Sequence, residues 1–422
     1  MDLFHSIHKH NQKLPTISNH SDWFSVSRGV KKMLRWLEEQ KYSISTPEQL
    51  ADKIDISGKE LAQLQKVCSR FRMQITPYYL DLIDFDDPKD PLRKMAVPDI
   101  RELRFRKGEL ADPIGDTNED LDNQPVKAIT HRYEDRVLLY PTPECGGYCR
   151  YCFRRRLAGK EDFQLTKKQL DKALDYIEKH NEIHEVILTG GDPLMLIDEK
   201  VFAILDRLKA MEHVWTIRIH TRMPVWNPYR ITDELAEGLK RFNPVWIVTH
   251  FNHPRELSDI AVEHIAKLVD NGIPVLNQGV LLKGVNDDIE TQRELNWALV
   301  RARVKPYYMH HLDKAQGISH FRASIKRGMN ILRELRGTIP GYCIPHFILD
   351  IPGGYGKIPM QYHYLNSNGN GGIIVETPFN ELRKYEDGVD QKAGEARDLD
   401  EMKPLELYPE EIMEKIGGNG DS

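Results

Sequence analysis

Residues 145–152 read Cys145-Gly-Gly-Tyr-Cys149-Arg-Tyr-Cys152 and place three cysteines on one short stretch. Three thiolates at this spacing can bind three irons of a cubane [4Fe–4S] cluster, because thiolate is the ligand that iron–sulfur clusters require. The fourth iron then has no protein ligand and can bind another molecule. The spacing therefore predicts an iron–sulfur cluster with one open iron.

A zinc site and a disulfide are the alternatives for such a run of cysteines. A structural zinc ion normally takes four ligands, usually from two separated pairs. The remaining cysteines, Cys68 and Cys343, are isolated in the sequence, and His131 has no partner at ligand spacing. A disulfide needs an oxidising compartment, and the sequence does not open with a secretion signal pattern. The cluster is the favoured interpretation.

Composition limits the classes of function. The 422 residues are 40% hydrophobic and 29% charged, with a formal net charge of −5. This length suits one large catalytic domain with appendages. The small net charge gives no field that favours nucleic acid, and no apolar run is long enough to cross a bilayer. With so few cysteines, we expect a cytoplasmic protein without nucleic-acid or membrane partners.

From about residue 131, short apolar strands alternate with amphipathic helices six times. The predicted strands are Val137–Tyr140, Glu185–Thr189, Trp215–His220, Val245–Thr249, Pro274–Leu282 and Pro306–His310. Repeated units of this kind imply a parallel sheet wrapped by helices. Six units predict an α/β fold with an incomplete (β/α)6 barrel, whose functional groups lie at the C-terminal strand ends.

The remaining segments differ in character. Capping boxes at Thr46 and Ser57 predict helices near the N-terminus, whereas the acidic run 112–122 is typical of a solvated surface. A further strand, Phe347–Asp350, precedes a β-hairpin whose turn covers 366–372. The predicted divisions are an N-terminal helical region (1–95), an irregular connector (96–130), the barrel (131–340), and a C-terminal segment with a charged tail (341–422).

A glycine-rich turn presents a lysine in the sequence Asp350-Ile-Pro-Gly-Gly-Tyr-Gly-Lys357. The turn is not a Walker P-loop, because Ile351 stands where the first glycine belongs and Ile358 follows the lysine. A lysine amine can instead form a Schiff base with pyridoxal phosphate (PLP). Glycines would let the backbone approach such a cofactor closely. On these residues alone, an ordinary surface loop is an equal alternative.

The chain resembles the lysine 2,3-aminomutases, radical S-adenosylmethionine (SAM) enzymes that also use PLP. The resemblance covers about residues 60–365, and the cysteine spacing is similar to the radical SAM signature. The other matching motifs are Thr76-Pro-Tyr-Tyr79, Thr130-His-Arg-Tyr133, Asp135-Arg-Val137, Arg154-Arg-Arg156, Gly190-Gly-Asp192, Thr249-His-Phe-Asn-His-Pro254, Gly284-Val-Asn-Asp287, His320-Phe-Arg322, Pro352-Gly-Gly354 and Gly356-Lys357.

The resemblance implies which residues bind the cofactors. Cys145, Cys149 and Cys152 would hold the cluster. Lys357 would be the PLP lysine, and two arginines would bind the PLP phosphate, a role that suits guanidinium forks: Arg132 and Arg136. A strand-end motif would meet the amino group of SAM: Gly190, Gly191 and Asp192. Taken singly, the arginines could be a surface pair and the glycines a plain turn.

Three positions match the substrate contacts of the resembled family. Arg154 would pair with the α-carboxylate, while Asp313 and Asp350 would receive the distal ammonium of lysine. A buried ammonium needs opposite charge and hydrogen bonds, so two acids favour L-lysine, with L-β-lysine as the product. Arginine, glutamate and a protein-bound lysine are the alternative substrates. Leu312-Asp-Lys314 is similar to relatives that modify a lysine of a translation factor, and Lys314 could pair with Asp313.

The resemblance also suggests partners. It implies an external electron donor of the flavodoxin or ferredoxin type and a homo-oligomer. One departure concerns the structural zinc of the clostridial-type enzymes, because no cysteine follows Cys343 and Asp288 stands where a zinc ligand is expected. We therefore expect no structural zinc. A non-catalytic iron–sulfur or zinc scaffold is the alternative from another functional class.

Overall fold

The structure is a computed structural model that describes residues 35–116, 123–367, 373–378 and 380–385. Three parts of the predicted organisation lie wholly or partly outside these ranges. They are the start of the N-terminal helical region, most of the predicted hairpin turn, and the charged tail.

A nine-stranded sheet forms the centre of the fold, with its strands in the order of the sequence. The strands β2 to β8 are parallel, and an antiparallel strand flanks them at each edge. The strands are β1 (Ile129–Tyr133), β2 (Arg136–Thr142), β3 (Glu185–Gly190), β4 (Thr216–His220), β5 (Val245–Thr249), β6 (Val275–Leu281), β7 (Lys305–His311), β8 (His346–Asp350) and β9 (Lys357–Pro359).

The helices either precede the sheet in sequence or cover it between strands. Those before the sheet are α1 (Arg35–Lys41), α2 (Pro47–Ala51), α3 (Gly58–Cys68), α4 (Pro77–Asp81) and α5 (Pro91–Ala96). Those between strands are α6 (Lys167–Lys179), α7 (Asp198–Lys209), α8 (Met223–Trp226), α9 (Asp233–Leu239), α10 (Asp259–Asp270), α11 (Ile289–Arg301) and α12 (Ile325–Leu335).

The six predicted β/α units are confirmed, because each strand from β2 to β7 is followed by at least one helix. The helices bury one apolar face against the sheet, as α6 does with Leu170, Leu174 and Ile177. Their starts also follow the sequence signals, because the Thr166 hydroxyl accepts from the Gln169 amide in a complete capping box. Periodicity and caps together therefore fix where the barrel helices begin.

The two edge strands were not predicted. β1 has the sequence Ile-Thr-His-Arg-Tyr, which has too few apolar residues to stand out, and its start falls in the segment that we predicted to be irregular. β9 has the sequence Lys-Ile-Pro and directly follows the glycine-rich turn. Each gains its strand conformation from pairing with a neighbour, which a local pattern does not reveal.

The sheet curves until its two edges meet. The backbone amide of Lys357 on β9 donates to the hydroxyl of Tyr133 on β1 over 3.1 Å. Gly353, in the turn before β9, donates its amide to the Pro113 carbonyl over 3.0 Å. The glycine-rich turn and the connector therefore close the open side of the incomplete barrel.

The predicted hairpin near the C-terminus is confirmed as a pair of strands. β10 (Leu365–Ser367) pairs antiparallel with β11 (Ile373–Glu376), and a further strand, β12 (Leu382–Tyr385), extends this second sheet. The Glu376 carboxylate accepts from Arg333 on α12 and so attaches the small sheet to the barrel. Within the described ranges, every helix is too short or too polar to cross a bilayer.

The N-terminal caps follow the sequence with one difference. Thr46 forms the complete capping box at the start of α2. Ser57 at the start of α3 accepts from the Glu60 amide, but the return bond of a full box is not among its contacts.

Candidate active site

The three neighbouring cysteines lie on the loop between β2 and α6. Cys145, Cys149 and Cys152 are free thiols and half-buried. Burial, followed by the charge of Cys149, raises the pKa of the Cys152 thiol to about 11. Burial and the charges of Asp192 and the other two cysteines raise the pKa of Cys145 well above its ordinary value. Metal binding must therefore displace protons from these thiols.

The residues around the thiols fit a cluster better than a single zinc ion. No three His, Cys, Asp or Glu side chains of the described residues are grouped to hold one metal ion. A cubane does not need such a group, because each thiolate binds a different iron. The suggested fourth zinc ligand, His131, uses its Nδ1 on Tyr176 (2.9 Å) and its Nε2 on the Glu134 carbonyl (3.2 Å).

One buried guanidinium faces the cysteine loop. Nη1 of Arg222, just after β4, lies 2.8 Å from Sγ of Cys149. Its other nitrogens donate to Glu256 (2.5 Å) and to the carbonyl of His250 (3.0 Å), which fix the group in place. A cation that donates to a ligand sulfur stabilises the thiolate form.

The N-terminal helical segment supports the same loop. The side-chain amide of Gln74 donates to the carbonyls of Cys145 and Gly146, over 3.0 and 3.1 Å. The backbone carbonyl of Gln74 accepts from the Tyr148 amide at 3.0 Å. The cysteine loop is thus held by residues from outside the barrel.

A buried ion group adds a second anchor. Glu102 accepts from Arg150, at 2.9 and 2.5 Å, and from Arg155. Burial of Glu102 would raise its pKa, but the two guanidiniums outweigh burial and lower it. Arg150 directly follows Cys149 and Arg155 lies three residues after Cys152, so this acid fixes the backbone of the cysteine loop.

The Gly190-Gly191-Asp192 motif lies at the C-terminal end of β3, as predicted. Gly190 has a φ of +111°, and a Cβ on Gly191 would lie 2.3 Å from the Glu144 carbonyl oxygen, so both glycines are required for close backbone contact. Asp192 is buried and accepts from the Thr221 hydroxyl (2.7 Å) and the Arg222 amide (2.7 Å). Its carboxylate therefore joins the ends of β3 and β4.

Lys357 and Asp350 are directly opposite each other on β9 and β8. The Lys357 ammonium lies 2.6 and 2.8 Å from the two Asp350 oxygens, and His310 Nδ1 lies 3.4 Å from one of them. Burial opposes ionisation of Asp350, but His310 and Lys357 outweigh burial and lower its pKa to about 2. Two predicted site residues thus form an ion pair between a buried carboxylate and a lysine side chain that is about one-third exposed.

Asp313 follows β7 and belongs to the same charged group. Burial, followed by the negative charge of Asp350, raises its pKa to about 7, although Lys357 and Arg154 act in the opposite direction. The neighbouring Lys314 is exposed, and no ion pair joins it to Asp313 within the described residues. Asp313 is therefore available to the barrel interior.

Arg154 and Arg132 meet at one buried carboxylate. Oδ2 of Asp116 accepts from Arg154 Nε at 2.8 Å and lies 2.7 Å from Arg154 Nη2, while Oδ1 lies 3.6 Å from Arg132 Nη2. We interpreted the acidic run 112–122 as solvated surface, and for Asp116 this is wrong, because only 3% of the residue is exposed. Ile114, two residues before Asp116, is the sequence signal of burial that we did not use.

Arg136 makes different contacts, and its guanidinium carbon lies 5.3 Å from the centre of the Tyr133 ring. It begins β2, is about half-exposed, and forms a bidentate pair with its neighbour Asp135 at 2.8 and 3.0 Å. In the described part of the chain, no bond joins Arg136 to Arg132 or Lys357. The structure therefore brings together one of the two predicted phosphate arginines and the predicted carboxylate arginine.

A cavity of about 220 Å³ opens beside Arg154 and Asp116. Its wall includes Arg154, Asp116, Tyr140, Gly190 and Gly191. Residues predicted for substrate and for SAM therefore line a common space. Sequence reasoning missed three polar residues that contact the predicted site residues, and none of them has a motif of its own: Asp116, Arg222 and His310.

Comparison with known proteins agrees with these features. Residues 139–295 match the model of the radical SAM superfamily, and residues 332–409 match a model described as lysine-2,3-aminomutase. The chain is 41% identical over 359 residues to the L-lysine 2,3-aminomutase of Clostridium subterminale, covering 85% of each protein. It is 42% identical over 386 residues to the L-lysine 2,3-aminomutase of Methanococcus maripaludis, covering 90% of this chain and 84% of that one.

A relative with a different named substrate is almost as similar. The glutamate 2,3-aminomutase of Clostridioides difficile is 38% identical over 383 residues, covering 90% of this chain and 87% of its own. Among solved structures, a radical SAM methyltransferase from Sphaerobacter thermophilus has a TM-score of 0.38 and 16% identity, covering 52% of this chain and 68% of that one.

Proposed function

The chain belongs to the lysine 2,3-aminomutase family of radical SAM enzymes, and from this membership we propose that it moves the α-amino group of L-lysine to C3, giving L-β-lysine. The family implies a [4Fe–4S] cluster and SAM. PLP, bound through Lys357, is the third cofactor in our proposal. The observation that carries the proposal is the charged group of Asp350, Lys357 and Asp313 at the ends of β7 and β8 and the start of β9.

Two acids near one lysine suit an amino acid with a distal ammonium. Asp350 already pairs with a primary ammonium, that of Lys357, at 2.6 Å. When Lys357 binds PLP, its ammonium leaves Asp350, and a substrate ammonium can take its place. A glutamate side chain would instead bring a third carboxylate to Asp350 and Asp313, which the repulsion of like charges disfavours.

Arg154 is proposed to bind the α-carboxylate at the other end of the substrate. Its guanidinium is the only one of the predicted anion-binding groups that lines the cavity shared with Gly190 and Gly191. A carboxylate bound at this point and an ammonium bound at Asp313 would fix both ends of an extended amino acid. Such two-point binding orients the reacting carbon relative to the SAM site.

The remaining proposed roles concern the cofactors. Cys145, Cys149 and Cys152 hold the cluster. Arg132 binds the PLP phosphate. In the structure, the Arg132 guanidinium donates to the Ile114 carbonyl at 2.5 Å. When bound, SAM on the cluster supplies a radical that removes hydrogen from C3, and PLP carries the migrating nitrogen. The protein positions these groups and excludes water.

Four further elements of the proposal rest on the chemistry and on the resemblance. An external donor of the flavodoxin or ferredoxin type would supply the electron that the cluster needs. A reducing cytoplasm suits a cluster with an open iron. A homo-oligomer follows from the family resemblance alone, and Arg136 as a phosphate ligand rests on the same ground.

The test is an anaerobic assay of the reconstituted enzyme with SAM, PLP and dithionite. L-Lysine, L-arginine and L-glutamate are offered separately, and β-amino products are identified by mass spectrometry. We expect β-lysine alone, and we expect Asp313→Asn and Asp350→Asn to lose it while retaining the cluster. A β-amino product from arginine or glutamate but not lysine would refute the substrate. SAM cleavage without any product would point to a protein-bound lysine instead.

A further inference from the structure

The proposed roles do not explain the contact between Asp116 and Arg154. Asp116 lies outside every motif that assigns function, yet it is 3% exposed and its carboxylate bonds to a buried guanidinium. Arg154 and Arg132 carry one positive charge each against one negative charge on Asp116. The group therefore keeps one uncompensated positive charge, which favours the arrival of an anion.

The bonds of Arg154 leave one edge of its guanidinium open. Arginine has five N–H donors. Nε donates to Asp116 Oδ2 at 2.8 Å, and Nη2 uses its donors on Asp116 (2.7 Å) and on the Tyr140 hydroxyl (3.2 Å). Within the described residues, no group accepts from Nη1. Asp116 and Tyr140 thus bind one side of the guanidinium group, and the two N–H donors of Nη1 are left for a ligand.

Asp116 is itself held by backbone contacts. Arg132 donates to the Ile114 carbonyl at 2.5 Å, and the Pro113 carbonyl accepts from Gly353 at 3.0 Å. A Cβ on Gly115, whose φ is +66°, would lie 2.7 Å from the Gly353 oxygen. The segment Pro113–Asp116 is therefore packed directly against the turn that carries Lys357, and its carboxylate cannot move far without breaking this contact.

We propose that Asp116 is a positioning residue that orients Arg154, so that the Nη1 edge binds the α-carboxylate of the substrate. This inference rests on the proposed aminomutase function. It assigns Asp116 no contact with the substrate, because its carboxylate would repel the substrate carboxylate. Asp116 also lies 3.6 Å from Arg132, so both ligands are compared in the PLP-loaded enzyme. Positioning of Arg154 affects only a ligand that carries the carboxylate, and this selectivity separates positioning from general structural support.

The test compares two ligands that differ only in the carboxylate. L-Lysine and 1,5-diaminopentane are titrated into the reconstituted, PLP-loaded enzyme without reductant, and binding is followed by the change in PLP absorbance. In Asp116→Asn we expect L-lysine to bind about tenfold to a hundredfold more weakly, because a misplaced binding group has effects of that size. The affinity for 1,5-diaminopentane should stay within about twofold of that of the unchanged protein, because that ligand makes no contact with Arg154.

The matched control is Asp112→Asn. Asp112 lies four residues earlier on the same segment and pairs with Arg156 at 3.1 Å, and its Oδ1 accepts from the Asp116 amide, a bond that asparagine retains. We expect both ligands to bind this variant as they bind the unchanged protein. Tyr140→Phe removes the second contact on Nη2 and should weaken L-lysine selectively but less than Asp116→Asn. It provides the test if Asp116→Asn does not fold.

The outcomes separate this inference from the proposed function. If neither ligand changes the absorbance of the unchanged protein, the proposed function fails. If both ligands bind the unchanged protein and the variants weaken both ligands equally, Asp116 only supports the structure and the inference is overturned. Unchanged L-lysine binding in Asp116→Asn overturns it as well. Selective loss of L-lysine affinity, with a raised KM and a smaller change in kcat, supports it.

Discussion

Two aspartates in the barrel share one environment but differ in protonation. Asp350 has a pKa of about 2, because His310 and Lys357 outweigh its burial. Asp313 has a pKa of about 7, because burial and the charge of Asp350 both favour its neutral form. Near neutral pH the pair therefore carries between one and two negative charges. An arriving ammonium would shift Asp313 towards its ionised form.

The first prediction concerns the pH dependence of substrate binding. Below pH 7 Asp313 is protonated, and a substrate ammonium must displace that proton. The KM for L-lysine should therefore fall about tenfold per pH unit as the pH rises towards 7, and become constant above it. The substrate ammonium stays charged throughout, because its pKa is about 10.4. The measurement is KM between pH 5.5 and 8.5.

Asp313→Asn provides the control for this profile. The variant should have a high KM that does not change with pH, since no proton is displaced. Asp350, with a pKa of about 2, and Arg154, whose pKa is raised because the charge of Asp116 outweighs burial, stay ionised across this range, while burial lowers the pKa of His310. A slope that persists in Asp313→Asn would assign the titration to another group and contradict the prediction.

The second prediction concerns the cofactor lysine. Lys357→Ala should abolish the visible absorbance of bound PLP and reduce aminomutase activity by orders of magnitude, because the amine that binds the cofactor is removed. Lys314→Ala is the matched control, as Lys314 is exposed and adjacent to Asp313 in the sequence. Full activity and unchanged absorbance in Lys357→Ala would refute the assignment of PLP to this lysine.

At the scale of elements, the sequence predicted the barrel better than its edges. The strands β2 to β8 are apolar runs or alternate apolar with polar residues, and most helices between them begin at a side-chain cap, so local pattern and tertiary position agree. The edge strands β1 and β9 contain His, Arg, Lys and Pro, and only pairing with a neighbour makes them strands. The pairing of Lys357 with Asp350 depends on that edge register, so no local signal could place them together.

The third prediction concerns the turn after β3. An alanine at Gly191 would place its Cβ 2.3 Å from the Glu144 oxygen and 2.4 Å from the Pro143 carbonyl carbon, both of which are backbone atoms. Because backbone cannot easily yield, Gly191→Ala should destabilise the protein by about 1–3 kcal/mol. The measurement is thermal or denaturant unfolding under anaerobic conditions.

Gly341→Ala is the comparison for that variant. Gly341 has no neighbouring atom within 4 Å of an added Cβ, so the free energy of unfolding should stay within about 0.5 kcal/mol of the original. Equal stability of the Gly191 and Gly341 variants would contradict the requirement for a glycine at the end of β3.

At the scale of the whole molecule, the N-terminal segment supports the cysteine loop. Gln74, Arg72 and Met95 all bond to the cysteine loop, although they precede the barrel in sequence. The spacing of the cysteines predicted an iron–sulfur cluster, and the resemblance added SAM as the molecule bound at its open iron. The side chains that hold the loop in place could not be predicted, because contacts between residues so distant in sequence leave no local pattern.

The fourth prediction tests this support. Gln74→Ala removes two hydrogen bonds to the carbonyls of Cys145 and Gly146, a loss of about 1–3 kcal/mol of local stability. We expect less iron and sulfide per chain after anaerobic reconstitution and faster loss of the cluster. Gln65→Ala is the control, since Gln65 is exposed and bonds only to Glu48. Equal iron content in the two variants would contradict the prediction.

The meeting of β1 and β9 has a consequence for how the protein avoids self-association. An unpaired sheet edge invites another chain to add a strand. The Gly356 carbonyl accepts from Ile351, just after β8, and the Met360 amide donates to Phe347 on β8, so the backbone groups of the alternating residues Lys357 and Pro359 face away from β8. The Lys357 amide is taken by Tyr133, and Pro359 has no amide hydrogen. The strand that carries the proposed cofactor lysine therefore offers no free donor to a neighbouring molecule, and a reactive amine can lie at a sheet edge without making that edge a site of aggregation.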